Sequence, residues 1–158
     1  MANHKLVLDD YQDLDFCLYG IHSELEDYRL AHSINKNLKT RLKRQKNDLA
    51  FNLAEKIFFN FFEWDNSSFK VKWNLIKNKC QIESQSNGQG LFAESQDKNI
   101  KTTALLEEYG SVDYFLKISG DKSLENKILA GLNKISKINM VYIINLQDLK
   151  AREYLILN

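Results

Sequence analysis

Apolar residues alternate with a period of two over residues 15–21, with Phe16, Leu18 and Gly20 on one side and Cys17, Tyr19 and Ile21 on the other. That period predicts a strand. The period then lengthens. Leu30, Ala31, Ile34 and Leu38 recur at helical spacing and form the apolar stripe of an amphipathic helix. Ser23 with Glu26 three residues on has the form of a capping box and sets the start of that helix. Residues 49–53, 57–64 and 70–77 are rich in β-branched and aromatic side chains and predict a meander of three strands, with turns at 54–56 and 65–68. Residues 84–99 are polar, include Gly88 and Gly90, and predict one long loop.

A second strand and helix follow. Val112, Tyr114, Leu116 and Ile118 alternate with Asp113, Phe115 and Lys117, which predicts a strand whose solvated face carries Asp113 and Lys117. Residues 120–123 end it and open a helix lined by Leu124, Ile128, Leu132 and Ile135, with Gly131 allowing close approach to a sheet. Residues 140–146 predict a further strand, and the last dozen residues a helical turn and a short strand. Two strand–helix–strand units flanking a meander predict an α+β protein: one mainly antiparallel sheet covered by two helices. If the units are related as split βαβ crossings, both helices share a side and the arrangement is an elaborated ferredoxin-like fold.

Composition narrows the class of function. With 158 residues, 44% hydrophobic and 27% charged, the chain reads as a single globular domain, 1–158, with a substantial core. No apolar run approaches the roughly 18 residues of a membrane span, so no membrane partner is expected. Cys17 and Cys80 form no CxxC pair and the three histidines have no ligand spacing. The expectation is two reduced thiols in a cytoplasmic protein, with no metal and no cofactor. A net charge of +1 argues against a strongly basic nucleic-acid binder, yet the charge is unevenly spread.

Chemistry has several candidate locations. His22 and Asp27 flank the start of the first helix, and a His–Asp contact is how a general base is oriented; a polar staple is the alternative. Lys36, Lys39, Arg41, Lys43, Arg44 and Lys46 give residues 36–46 six cations and no acid. If 39–46 are extended, their spacing suits a phosphate backbone, with aromatics of 58–64 stacking bases. The same residues also suit an edge strand protected by lysine. Gly120, Lys122 and Ser123 between strand and helix offer an anion site or an ordinary cap. Leu91 and Phe92, apolar inside the polar loop, either fold back on the sheet or dock on a partner.

One further signature carries no chemistry. Glu108, three free positions and then Val112, Asp113 and Tyr114 resembles the signature of the IPExxxVDY family, small uncharacterised proteins of the Bacteroidota lineage. Residues 4–10, 20–23, 25–31 and 73–76 are similar to that family as well. Glu107 stands where the family name has proline, and the chain has no proline at all. The resemblance implies an identity and no activity. The functional expectation is therefore a non-catalytic binding or adaptor domain with a protein partner, working through exposed aromatics of the meander or through Leu91 and Phe92. An RNA-binding accessory protein using residues 36–46 is the alternative, an enzyme using His22 and Asp27 the second alternative, and a homodimer remains open.

Overall fold

The computed structural model describes residues 15–52, 57–84 and 99–155. Its centre is a six-stranded antiparallel sheet. In chain order the elements are β1 (Phe16–His22), α1 (Asp27–Leu38), β2 (Lys43–Arg44), β3 (Leu49–Asn52), β4 (Ile57–Phe59), β5 (Phe61–Asn66), β6 (Val71–Lys77) and β7 (Lys79–Ser84). They continue as β8 (Asn99–Ala104), β9 (Tyr114–Ser119), α2 (Glu125–Asn133) and β10 (Met140–Ile143).

The sheet order is β10-β1-β9-β6-β5-β2, and β3-β4 and β7-β8 form separate two-stranded sheets. Each neighbour in the large sheet is antiparallel, so β9 and β10 run parallel on either side of β1, joined by α2. In the same way β1 and β6 run parallel on either side of β9, and α1 follows β1. These two split crossings over β10-β1-β9-β6 are the ferredoxin-like core. The edge strands β5 and β2 and the two hairpins elaborate it.

Strand alternation gives the sheet two buried faces. Cys17, Tyr19, Ile21, Trp73, Leu75, Tyr114, Leu116 and Ile118 point to the helices and meet Leu30, Ile34, Ile128 and Leu132. Phe16, Leu18, Ile76 and Phe115 point the other way and meet Ile57, Phe59, Leu105, Leu106 and Leu155. A second layer on the face away from the helices was not legible in the helix-only covering expected from sequence.

The structure corrects several local expectations. Ser23 does not cap α1, whose N-cap is Glu26 without a side-chain hydrogen bond. Its hydroxyl instead donates to the Lys137 carbonyl at 2.8 Å, tying the end of β1 to the approach of β10. Leu124 is the N-cap of α2 and half-exposed rather than part of its buried stripe. The strand expected over 57–64 breaks at Asn60, and the strand expected to end at 77 resumes after Asn78 as β7; β8 begins at Asn99, the last residue of the expected loop, and runs to Ala104. At Asn60 the chain passes from the β3–β4 hairpin into the large sheet, and at Asn78 it leaves the large sheet for the β7–β8 hairpin. The remainder of the loop expected at 84–99, residues 85–98, lies outside the described residues, and so does the terminal strand expected after residue 155.

Lys117 is not on a solvated face. It is 8% exposed, its Nζ donates to the Leu155 carbonyl at 2.5 Å and lies 4.7 Å from the Phe16 ring centroid. Alternation alone made it look solvated, because the second layer that covers it is distant in sequence.

Candidate binding groove

Asn78 is fully buried and sits where β6 gives way to β7. Its amide nitrogen donates to the carbonyls of Tyr109 (2.9 Å) and Val112 (2.8 Å), and its side-chain oxygen accepts from Leu106 N–H at 3.1 Å. Its backbone N–H donates to the Asp113 carbonyl and its carbonyl accepts from Leu105 N–H. A buried asparagine so bonded holds one rotamer, since any other would orphan donors in a dry core. The lysines on either side, Lys77 and Lys79, are thereby fixed two residues apart on the other side of the chain.

Those two lysines border two adjoining depressions. One, of about 510 Å³, lies between β4 and β7 and is lined by Phe58, Asn60, Cys80 and Thr102 among others. The second, of about 180 Å³, runs under the β1–α1 loop, with Ser23, Glu24, Glu26, Asp113 and Tyr114 on its walls. Lys77 and Lys79 line both.

Two of the four signature residues, Asp113 and Tyr114, line the second depression. The Asp113 carboxylate accepts Ser23 N–H at 3.0 Å through one oxygen and pairs with Lys79 Nζ at 2.9 Å through the other. The Tyr114 hydroxyl donates to the Leu25 carbonyl at 2.6 Å. Burial pushes that phenol well above its ordinary range, and the carboxylates of Asp27, Glu26 and Asp113 add to the shift. It is a permanent neutral donor at physiological pH. Val112 is buried in the core, and Glu108 accepts Lys150 N–H at 2.8 Å. Each signature residue therefore fixes a loop.

His22 and Asp27 are not brought together. His22 continues the row of Phe16 and Leu18 on the face away from the helices, where its ring stacks on Tyr142 with centroids 5.8 Å apart and its buried Nε2 has no hydrogen-bond partner. Asp27 starts α1, accepts its neighbour Tyr28's N–H at 2.7 Å and takes the Asn60 amide at 2.9 Å. Alternation along β1 sends the two side chains apart.

The basic segment is only partly extended. Lys36 lies in the last turn of α1, Lys39 is its left-handed C-cap with φ 59°, and only Lys43 and Arg44 pair, along the edge of β5. Asn35 anchors the segment by bonding both Leu42 backbone groups and the Thr40 hydroxyl. Arg44 is engaged by Asp48 and rests 6.0 Å from the Phe62 ring centroid. Lys36, Lys39, Arg41, Lys43 and Lys46 are exposed, and among the described residues no carboxylate stands within ion-pair distance of them.

The exposed aromatic face expected over 58–64 is not present. Phe59 and Phe62 are buried, Trp64 is half-buried 6.0 Å from buried Trp73, and Phe58 is exposed. Both faces of this sheet carry cores, which leaves no open platform there for bases. Gly120, Lys122 and Ser123 do not make an anion cradle either. Asp121 already occupies Ser123 N–H and hydroxyl, both at 2.8 Å, and those bonds hold the exposed Asp121 carboxyl below its usual range. Lys122 Nζ lies 3.5 Å from Asp15. Leu91 and Phe92 fall outside the described residues.

Among the described residues, no group of three or more His, Cys, Asp or Glu side chains is placed to hold a metal ion. No helix of the described residues is long and apolar enough to cross a membrane. No family model, curated protein or solved structure matches the chain. Sequence reasoning missed Lys77, Lys79, Cys80 and Thr102 as a group. The alternation of Cys80 and Ile82 with Lys79 and Gln81, opposite Thr102 and Thr103, was the available signal for the second hairpin, in which Cys80 pairs with Thr103 and Gln81 with Thr102.

Proposed function

We propose that the chain is a non-catalytic binding domain that receives a protein partner in the groove beside Lys77 and Lys79. The observation that carries this reading is the groove itself: two lysines fixed by a buried asparagine, an exposed Phe58 on the opposite wall, and a volume of about 510 Å³, within the usual range for ligand sites. The nearby groups that acid–base chemistry would use are engaged in holding loops, as the contacts of Asp27, Asp113 and Tyr114 describe. We also propose membership of the IPExxxVDY family, on the resemblance of Glu108, Val112, Asp113 and Tyr114 to its signature. The test is capture of partners by the tagged protein from its native cells, with and without ribonuclease. The proposal requires a ribonuclease-resistant protein that Lys77→Glu releases; retention by that variant counts against the groove.

RNA binding is the second reading, favoured by the five exposed cations of residues 36–46 that lack carboxylate partners among the described residues. It requires affinity for single-stranded RNA that falls with salt at a logarithmic slope of about 0.7 per phosphate contact. Arg41→Glu with Lys43→Glu removes that affinity if the segment is the site. Arg44 is the wrong target, because Asp48 already neutralises it.

A further inference from the structure

The two outermost strands of the six-stranded sheet are built differently. At one end β2 is Lys43 and Arg44 alone, and cations on an edge strand keep other chains from pairing with it. At the other end β10 has no such guard. Residues 138–147 carry no charge, and β10 itself is Met140, Val141, Tyr142 and Ile143, an apolar run with high preference for strand pairing.

The register of β10 sets what its free side offers. Ile144 N–H donates to the Leu18 carbonyl at 2.8 Å, and in an antiparallel ladder bonded pairs alternate with unbonded ones. Tyr142 is therefore bonded to Gly20, while Val141 and Ile143, opposite Ile21 and Tyr19, turn their N–H and C=O groups outward. No backbone hydrogen bond among the described residues reaches those outward groups. Beside them Met140 is 51% exposed, and Tyr142 and Ile143 are half-buried.

This edge is complementary to itself. An antiparallel copy matches it with Val141 opposite Ile143 of the second copy and Ile143 opposite its Val141, so that each outward N–H meets an outward C=O. Tyr142 then faces Tyr142 of the second copy across the axis, in the closer, unbonded kind of pair, and Met140 faces Ile144. The charges that bound the uncharged stretch, Lys137 and Asp148, are opposite in sign and exposed. Neither has an ion-pair partner among the described residues. Antiparallel pairing sets the lysine of each copy towards the aspartate of the other. An uncharged edge has nothing with which to select a charged peptide, whereas self-complementarity is what a two-fold interface requires.

We propose that β10 pairs antiparallel with β10 of a second copy, joining the two six-stranded sheets across a two-fold axis. The groove borders β4, β6 and β7, so the dimer stands or falls independently of it.

The experiment is sedimentation equilibrium of the full chain over a range of concentrations. A mass twice the 18.5 kDa of one chain is expected as concentration rises. Met140→Lys sets a charge in the apolar pair and should weaken the dimer about tenfold or more. Lys137→Glu should weaken it as well, and adding Asp148→Lys should restore it, which reads the antiparallel register. On mild oxidation Tyr142→Cys should trap a covalent dimer that the native chain and Phe69→Cys do not form; Phe69 is 75% exposed in the turn between β5 and β6. Thermal unfolding confirms that each variant folds. A chain that stays monomeric at every concentration overturns the proposal. So does a dimer that Met140→Lys leaves intact and Tyr142→Cys does not trap, since its interface lies elsewhere. If a monomeric chain captures another protein that Met140→Lys releases, the edge serves a foreign strand and the second copy is wrong.

Discussion

Replacing Asn78 by alanine tests the hub on which the groove depends. The substitution removes three side-chain hydrogen bonds in a fully buried place. The Tyr109 carbonyl keeps another donor, Val112 N–H at 2.9 Å. The Leu106 N–H and the Val112 carbonyl are left without partners, and each orphaned buried group costs roughly 1–3 kcal/mol. The expected loss is about 3–5 kcal/mol, a large share of the roughly 5–15 kcal/mol that holds a protein folded. With a urea m-value of about 2 kcal/mol per M, the midpoint falls by about 2 M. Asn78→Asp sharpens the test. It keeps an acceptor for Leu106 but turns a carboxylate toward two carbonyls, which raises its pKa above the ordinary value of about 3.9. Its deficit at neutral pH is therefore relieved as pH falls through that raised value, when the protonated acid donates to one carbonyl. A loss below about 1 kcal/mol in Asn78→Ala, or an Asn78→Asp deficit that does not ease in acid, refutes the hub.

Other perturbations are equally direct. Tyr19 and Tyr114 both have phenols pushed up first by burial, so their folded forms hold the proton more tightly than the unfolded chain. Their contribution is complete below about pH 10 and is lost as pH rises from there toward the folded values; urea midpoints between pH 8 and 12 should fall, less steeply in Tyr114→Phe. Gly120 has φ +112°, and a Cβ there would press on the Lys70 carbonyl oxygen; Gly120→Ala should cost about 1–3 kcal/mol, and a neutral thermal shift would contradict that geometry. Asp113→Ala should lower stability by about 1–3 kcal/mol through the orphaned Ser23 N–H and should loosen the β1–α1 loop, read as faster amide exchange at residues 23–26. No change in exchange there would show that the signature aspartate does not hold the loop.

Much of the fold was legible because periodicity reports local geometry. β1, α1, β9, α2 and β10 follow from period-two and helical spacing, and the two faces of β1 divide between the cores as its alternation requires. What could not be read was long-range. Lys117 alternates as a solvated residue would, and only the distant Leu155 and Phe16 make it buried. Ser23 has capping-box chemistry, but its hydroxyl found Lys137, more than a hundred residues away. The aromatics of 57–64 looked like a displayed surface because sequence does not show that this strand bends at Asn60 and has cores on both faces. The groove was invisible for the same reason: Phe58, Lys77, Lys79 and Thr102 come from four strands, one of the large sheet and three of the two hairpins, and one buried asparagine sets the spacing of the two lysines. The signature of Glu108, Val112, Asp113 and Tyr114 was plain in the sequence, whereas its role in fixing loops needed the partners Lys150, Ser23, Lys79 and Leu25.

The most direct measurement is partner capture by the native and Lys77→Glu proteins side by side, in extracts treated and not treated with ribonuclease, with Arg41→Glu/Lys43→Glu as the third bait. The account predicts a protein that survives ribonuclease, stays with the Arg41→Glu/Lys43→Glu bait and is lost from the Lys77→Glu bait. A partner that ribonuclease removes, or one that follows the Arg41 and Lys43 charges and ignores Lys77, would contradict it and move the working surface from the groove to the basic edge.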